Sequence, residues 1–187
     1  MEKFISQNNL EQFYKKEIGI QGRKTVEEQI QKVRNDGSKH IKSIFLSHSH
    51  LDKTIVNKIS LLFSNLNINI YIDWLDKSLP EQTDRITASV IKSKIHETNH
   101  FLFLATYHGL RSKWCNWELG IADSFKNNEK LAILPIETKS GNWRGNEYLH
   151  LYPEMRFGSD NLDDLTVEKI KIHQLDGKII SFEDWLK

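Results

Sequence analysis

From Lys42 to Ile136 the sequence predicts an open, mostly parallel α/β sheet. Short apolar runs alternate with stretches of helical periodicity, and each apolar run ends in a polar tip. The composition fits a domain that buries its own core, with 39% hydrophobic and 27% charged residues in a chain of 187.

Residues 1–40 have a different texture. Phe4, Leu10, Phe13, Ile18, Val26 and Ile30 recur at roughly helical spacing among Gln, Glu and Lys, and Gly19 and Gly22 interrupt them. That pattern predicts two amphipathic helices joined by a short turn, an N-terminal helical extension packed on the main domain or on a second copy. A turn at Asn35-Asp-Gly-Ser38 leads into the main domain, residues 41–187.

Ile44-Phe-Leu46 is the first strand, ending in the polar tip Ser47-His-Ser-His50. Ile55, Ile59, Leu62, Phe63 and Leu66 then mark one helical face. Ile68 to Ile72 is the second strand and runs into a polar loop from Asp73 to Pro80. Ile86, Val90, Ile91 and Ile95 define another helix, Phe101 to Ala105 a buried strand, and Trp114 to Phe125 a third helix. Leu131 to Ile136 is the fourth strand, and Pro135 suggests that it lies near an edge or ends there. Beyond Ser140, Trp143, Tyr148, Leu149, Leu151 and Tyr152 form an irregular apolar stretch suited to covering an edge. Two short apolar runs around Asp176-Gly177 read as a hairpin.

Several function classes lose their footing. Lys and Arg total 26 against 25 Asp and Glu, so there is no basic surplus for a broad nucleic-acid face. The apolar runs fall far short of the roughly 20 residues that cross a membrane. The segment Met1 to Asn9 has no apolar signal-peptide core, and a cytoplasmic location is expected. The single cysteine, Cys115, makes neither an internal disulfide nor a zinc site by itself. His48 and His50 could start a metal site, but no other histidine has the spacing to complete it, so no metal is expected. Phosphate-loop, dinucleotide-fingerprint and nucleophile-elbow motifs are absent. A receiver domain would need acidic residues after the first strand and an aspartate after the third, where this chain has Ser47-His48 and Thr106-Tyr107.

In open parallel sheets, ligands bind outside the carboxyl ends of the strands. That rule singles out Ser47 to Asp52, Asp73 to Asp84 and Thr106 to Lys113. The informative oddity is on the third helix. At about 100° per residue from Trp114, Ile121 falls near −20°, Phe125 near +20° and Trp117 near −60°. Glu118, near +40°, lies inside that apolar arc. A carboxylate there is costly unless it has a partner. Two readings follow: a salt bridge to Arg85, Arg111 or Lys113, or a cleft with aromatic walls in which Glu118 acts on a bound cation.

Four blocks in order then resemble the TIR (Toll/interleukin-1 receptor) domain family. Phe45-Leu-Ser-His-Ser-His-Leu-Asp52 is similar to its first box. Tyr71-Ile-Asp-Trp-Leu-Asp-Lys-Ser-Leu-Pro80 resembles the second-strand tip and BB loop of bacterial members. Phe101 to Thr106 and Ser112 to Gly120 resemble the third strand and third helix, and Trp114-x-x-x-Glu118 matches the W-x-x-x-E pattern of the NAD⁺-cleaving members. The resemblance covers about residues 41–137 and says nothing of the flanks.

It implies a flavodoxin-like fold and an enzyme that cleaves the nicotinamide–ribose bond of NAD⁺, which is a substrate and not a cofactor. Glu118 is the implied catalytic carboxylate and Trp114 the residue that shapes or stacks the site. Ser47, His48 and Ser49 at the first tip, Trp74 and Asp76 on the BB loop, and Tyr107 and Ser112 around the third-strand loop are the implied substrate contacts. For Ser49 and Asp52 a helix cap is the competing reading; for Tyr107, Ser112, Trp74 and Asp76 it is packing or plain surface. Resemblance to stand-alone Thoeris-type antiphage proteins further implies an ADP-ribose-derived signal acting on a separate effector, and a homo-oligomer built through the BB loop around Trp74. The alternative is a non-catalytic adaptor assembling through the same loop, with a virulence factor mimicking host signalling as a third option.

Overall fold

The computed structural model describes residues 2–35, 43–72, 85–127, 129–138 and 147–187, without the side chains of 30–35 and 147. Among the described residues an eight-stranded sheet forms the centre, in the order β3-β2-β4-β5-β6-β7-β8, with β1 pairing to β5. The strands are β1 (Ile5–Ser6), β2 (Ser43–Ser47), β3 (Asn69–Tyr71), β4 (His100–Ala105), β5 (Leu131–Glu137), β6 (Glu154–Phe157), β7 (Ile170–His173) and β8 (Ile179–Ser181). Pairing is parallel from β3 through β6 and antiparallel from β6 through β8. The predicted open, mostly parallel sheet is therefore present, as is the C-terminal hairpin, which turns at Gly177 with φ of 83°. Positive φ favours glycine there.

The helices are α1 (Gln7–Gln21), α2 (Arg23–Asn35), α3 (Lys53–Asn65), α4 (Arg85–Glu97), α5 (Tyr107–Arg111), α6 (Lys113–Phe125) and α7 (Phe182–Trp185). Alternation along the strands divides the core between two faces. Ile44 and Leu46 of β2, Leu102 and Leu104 of β4 point to the face covered by α1, α2 and α3. Phe45, Phe101, Phe103 and Ala105 point to the other, against α4 and α6. Phe45 and Phe101 stack there with ring centroids 5.5 Å apart. No helix among the described residues is long and apolar enough to cross a membrane.

The N-terminal helices join the core. Leu10, Phe13 and Val26 are buried in the same cluster as the β-strand residues of the first face. Glu11 pairs with Lys58 of α3, which is itself buried. Ser6 caps α1 by accepting from the amide of Asn9 at 3.1 Å. Gly22, at φ 81°, ends the helix by donating to the Ile18 carbonyl. Gly19 does not interrupt α1, because a glycine inside a helix lowers its stability without forcing a break. The strand before α1 was not legible, since two residues are too few to show alternation. Ile5 and Ser6 lie opposite Ile136 and Glu137.

That pairing also explains Pro135. Strand β5 is not an edge: β4 runs along one side while β6 and β1 pair with it as well. On the side away from β4, Ile133 pairs with β6 and Ile136 with β1, so the proline falls between the two partners, where no ladder donor is called for.

Candidate active site

Strand β2 ends at the carboxyl edge of the sheet with Ser47, whose side chain points to the same face as Phe45, towards α6. Helix α6 is started by Ser112, whose hydroxyl accepts from the amide of Cys115 at 3.2 Å. Its buried residues are Cys115, Glu118, Leu119 and Ala122. Glu118 thus does lie on the buried face, but that face is turned about 90° from the predicted arc. Phe125, expected inside it, is 60% exposed and packs edge-on against His96. Trp114, Trp117 and Ile121 are half-buried on the flank. Cys115, Leu119 and Ala122 pack against the sheet beside Glu118, and the bulky aromatic side chains are left at the margin.

Glu118 is 2% exposed and accepts a hydrogen bond from the Ser47 hydroxyl at 2.6 Å. A charge-assisted bond of this kind is what makes a buried carboxylate tolerable. On the same helix the rings of Trp114 and Trp117 lie 4.7 Å apart, with the Lys92 amine of α4 5.6 Å from the Trp117 ring.

The other predicted residues take distinct places. The buried His48 ring donates from Nδ1 to the Leu46 carbonyl oxygen at 2.7 Å, since a carbonyl can only accept. Ser49 starts the short 3-10 turn His50–Asp52, its hydroxyl accepting from the Leu51 amide at 3.3 Å. Ser112 is the cap of α6, and Tyr107 is 62% exposed, with the Arg111 guanidinium 5.2 Å from its ring. Trp74 and Asp76, with the loop from Asp73 to Asp84, and Trp143 lie outside the described residues.

Two links were not anticipated. Asp52 stands at the N-terminus of α3 but makes no side-chain cap bond. It accepts instead from the Thr106 hydroxyl at 2.5 Å, and burial raises its carboxyl above the usual range, against the lowering effect of that hydrogen bond and of nearby His108, His48 and His50. Tyr148, in the 3-10 turn Glu147–Leu151, donates to the Asn116 side chain of α6. No local spacing encodes either link, because each joins residues far apart in the chain.

A buried carboxylate held by a hydroxyl donor at the carboxyl edge of a parallel sheet can stabilise a positive charge that develops against it. The family model described as "TIR domain" matches residues 44–165. A Bacillus cereus (strain MSX-D12) protein named "Probable 3' cyclic ADP-D-ribose synthase ThsB'" is 32% identical over 161 residues, covering 84% of this chain and 81% of that protein. A Cytobacillus dafuensis protein named "Putative cyclic ADP-D-ribose synthase TIR2" is 33% identical over 88 residues, covering 46% of this chain and 23% of its own length.

Proposed function

Because the chain belongs to the TIR domain family, we propose that it cleaves the nicotinamide–ribose bond of NAD⁺ and closes the ADP-ribosyl group into a cyclic product. The observation that carries this reading is the buried Glu118 carboxylate held by Ser47. The names of the two relatives, both cyclic ADP-D-ribose synthases, support it.

Nicotinamide leaves as a neutral base from a cationic precursor, so its departure needs little acid assistance. Positive charge gathers on the ribose instead, in an oxocarbenium-like transition state. Glu118 stabilises that charge and holds the ribose hydroxyls, Ser47 keeps the carboxylate oriented, and Trp114 shapes the wall beside it. Capture by a hydroxyl of the same molecule closes the ring and releases one proton. Water in that role gives linear ADP-ribose.

In this reading the protein works in the cytoplasm of a bacterium, in antiphage defence of the Thoeris type. It assembles as a homo-oligomer through the BB loop and reaches a separate effector through its nucleotide product. Mass spectrometry of the products formed from NAD⁺ by the purified chain tests the proposal. Nicotinamide with an ion one water lighter than ADP-ribose is expected. Absence of nicotinamide release would overturn the enzymatic reading in favour of a non-catalytic module.

A further inference from the structure

Beside the β2–β4 ladder, side-chain hydrogen bonds join the tip of β2 and the start of α3 to the segment β4–α5–α6 on both faces of the sheet. On the α6 face the tie is Ser47 to Glu118. The second tie is the Asp52–Thr106 pair, both residues 2% exposed, at the start of α3 on the other face. We propose that Asp52 and Thr106 are positioning residues for the reaction, setting through α5 the first turns of α6, which carry Trp114 and Glu118. The proposal rests on the NAD⁺-cleaving assignment for its kinetic arm.

The Thr106 hydroxyl has one proton and two lone pairs. Its proton goes to Asp52 at 2.5 Å, which leaves a lone pair aimed at the Gly109 amide, 2.9 Å away. Asp52 therefore orients the group that caps α5. Gly109 fits closely against β4: a Cβ there would lie 2.4 Å from the Leu104 carbonyl oxygen. The Gly109 carbonyl in turn accepts from the amide of Ser112, the residue that caps α6. Asn116 adds a bond from its side chain back to the Leu110 carbonyl at 3.3 Å. An unbroken series of hydrogen bonds thus runs from Asp52 to the helix bearing the carboxylate. At its other end the Asp52 amide donates to the Ser49 carbonyl at 2.9 Å, within the segment that begins at Ser47. Losing the second tie frees the Thr106 end of that series from the start of α3, and small displacements of a catalytic group are expensive in rate.

The test uses the full chain. Asp52→Ala and Thr106→Val are expected to lower kcat for nicotinamide release about tenfold or more while KM changes less than about threefold. Asp52→Asn, whose carbonyl still accepts from Thr106, and Thr106→Ser, which keeps the hydroxyl, are expected to stay within about threefold of wild type. The double variant Asp52→Ala/Thr106→Val should be no worse than the poorer single one, because both remove the same bond. Amide hydrogen exchange at Cys115 and Asn116 should quicken in Thr106→Val and not in Thr106→Ser. A folded Thr106→Val with wild-type kcat, Asp52→Asn as impaired as Asp52→Ala, or unchanged exchange in α6 would each overturn the proposal. If Asp52→Ala does not fold, the Asn, Val and Ser variants carry the comparison. A wild-type chain that releases no nicotinamide sinks the NAD⁺ assignment, and the exchange measurement still decides whether the pair holds α6.

Discussion

Ser47 and Glu118 are 71 positions apart in the chain and 2.6 Å apart at the carboxyl edge of the sheet. One ends the strand β2 and the other sits on the buried face of α6, so the bond joins a strand tip to a helix across one layer of the fold.

Replacing Glu118 by Gln keeps the shape and a hydrogen-bonding oxygen for Ser47 while removing the charge. Nicotinamide release is expected to fall by at least about a hundredfold, with the melting temperature little changed. An enzyme assay paired with thermal melting checks this, and near wild-type turnover would remove Glu118 from the catalytic role.

Ser47→Ala takes a donor from a buried carboxylate. A loss of about 1–3 kcal/mol in stability is expected, together with reduced turnover. Ser47→Thr, which keeps the hydroxyl and suits a strand, should recover most of both. Chemical denaturation alongside the nicotinamide assay separates the two effects.

Gly109 and Gly120 make a matched pair. Gly109→Ala would press a methyl against the Leu104 carbonyl, whereas a Cβ at exposed Gly120 meets nothing within 4 Å. Gly109→Ala is expected to lose about 1–3 kcal/mol. Gly120→Ala, inside α6, should gain about 0.4–1 kcal/mol. Denaturant midpoints measure both, and equal effects would contradict the close packing of α5 on β4.

Within α1, Leu10 is fully buried and Ile20 is 68% exposed. Leu10→Ala is expected to cost about 2–5 kcal/mol, and Ile20→Ala within about 0.5 kcal/mol of nothing. Equal, small losses in denaturation would mean that α1 does not share the main core.

Burial lowers the Lys126 amine to about 8, with Lys130 nearby contributing, while its Nζ donates to the Thr98 carbonyl at 2.6 Å. Between about pH 8 and 10.5 the unfolded chain keeps a proton that the folded one has shed, so this residue's contribution to stability grows as pH rises through that window and is lost as pH falls through 8. The stability of wild type minus that of Lys126→Met should therefore increase from pH 7 to pH 9.5. A constant difference across denaturation curves at the two values would refute it.

Local patterning suffices for the alternation of strands and helices, the polar tips at the carboxyl edge, and the place of Glu118 on the buried side of α6. These are legible because each is written in local periodicity, and because a glutamate among apolar neighbours is conspicuous at the spacing of a single helix. Which face of α6 is buried follows from tertiary packing, since Cys115, Leu119 and Ala122 pack on the sheet while Trp114, Trp117 and Phe125 do not reach its centre. The tertiary structure also decided that Ser49 and Ser112 serve as caps, that Asp52 bonds to Thr106 and not to its own helix, and that a two-residue strand joins the N-terminal helices to β5. Each of these depends on a partner brought close by the sheet from a distant part of the chain, and spacing along one segment carries no information about such a partner.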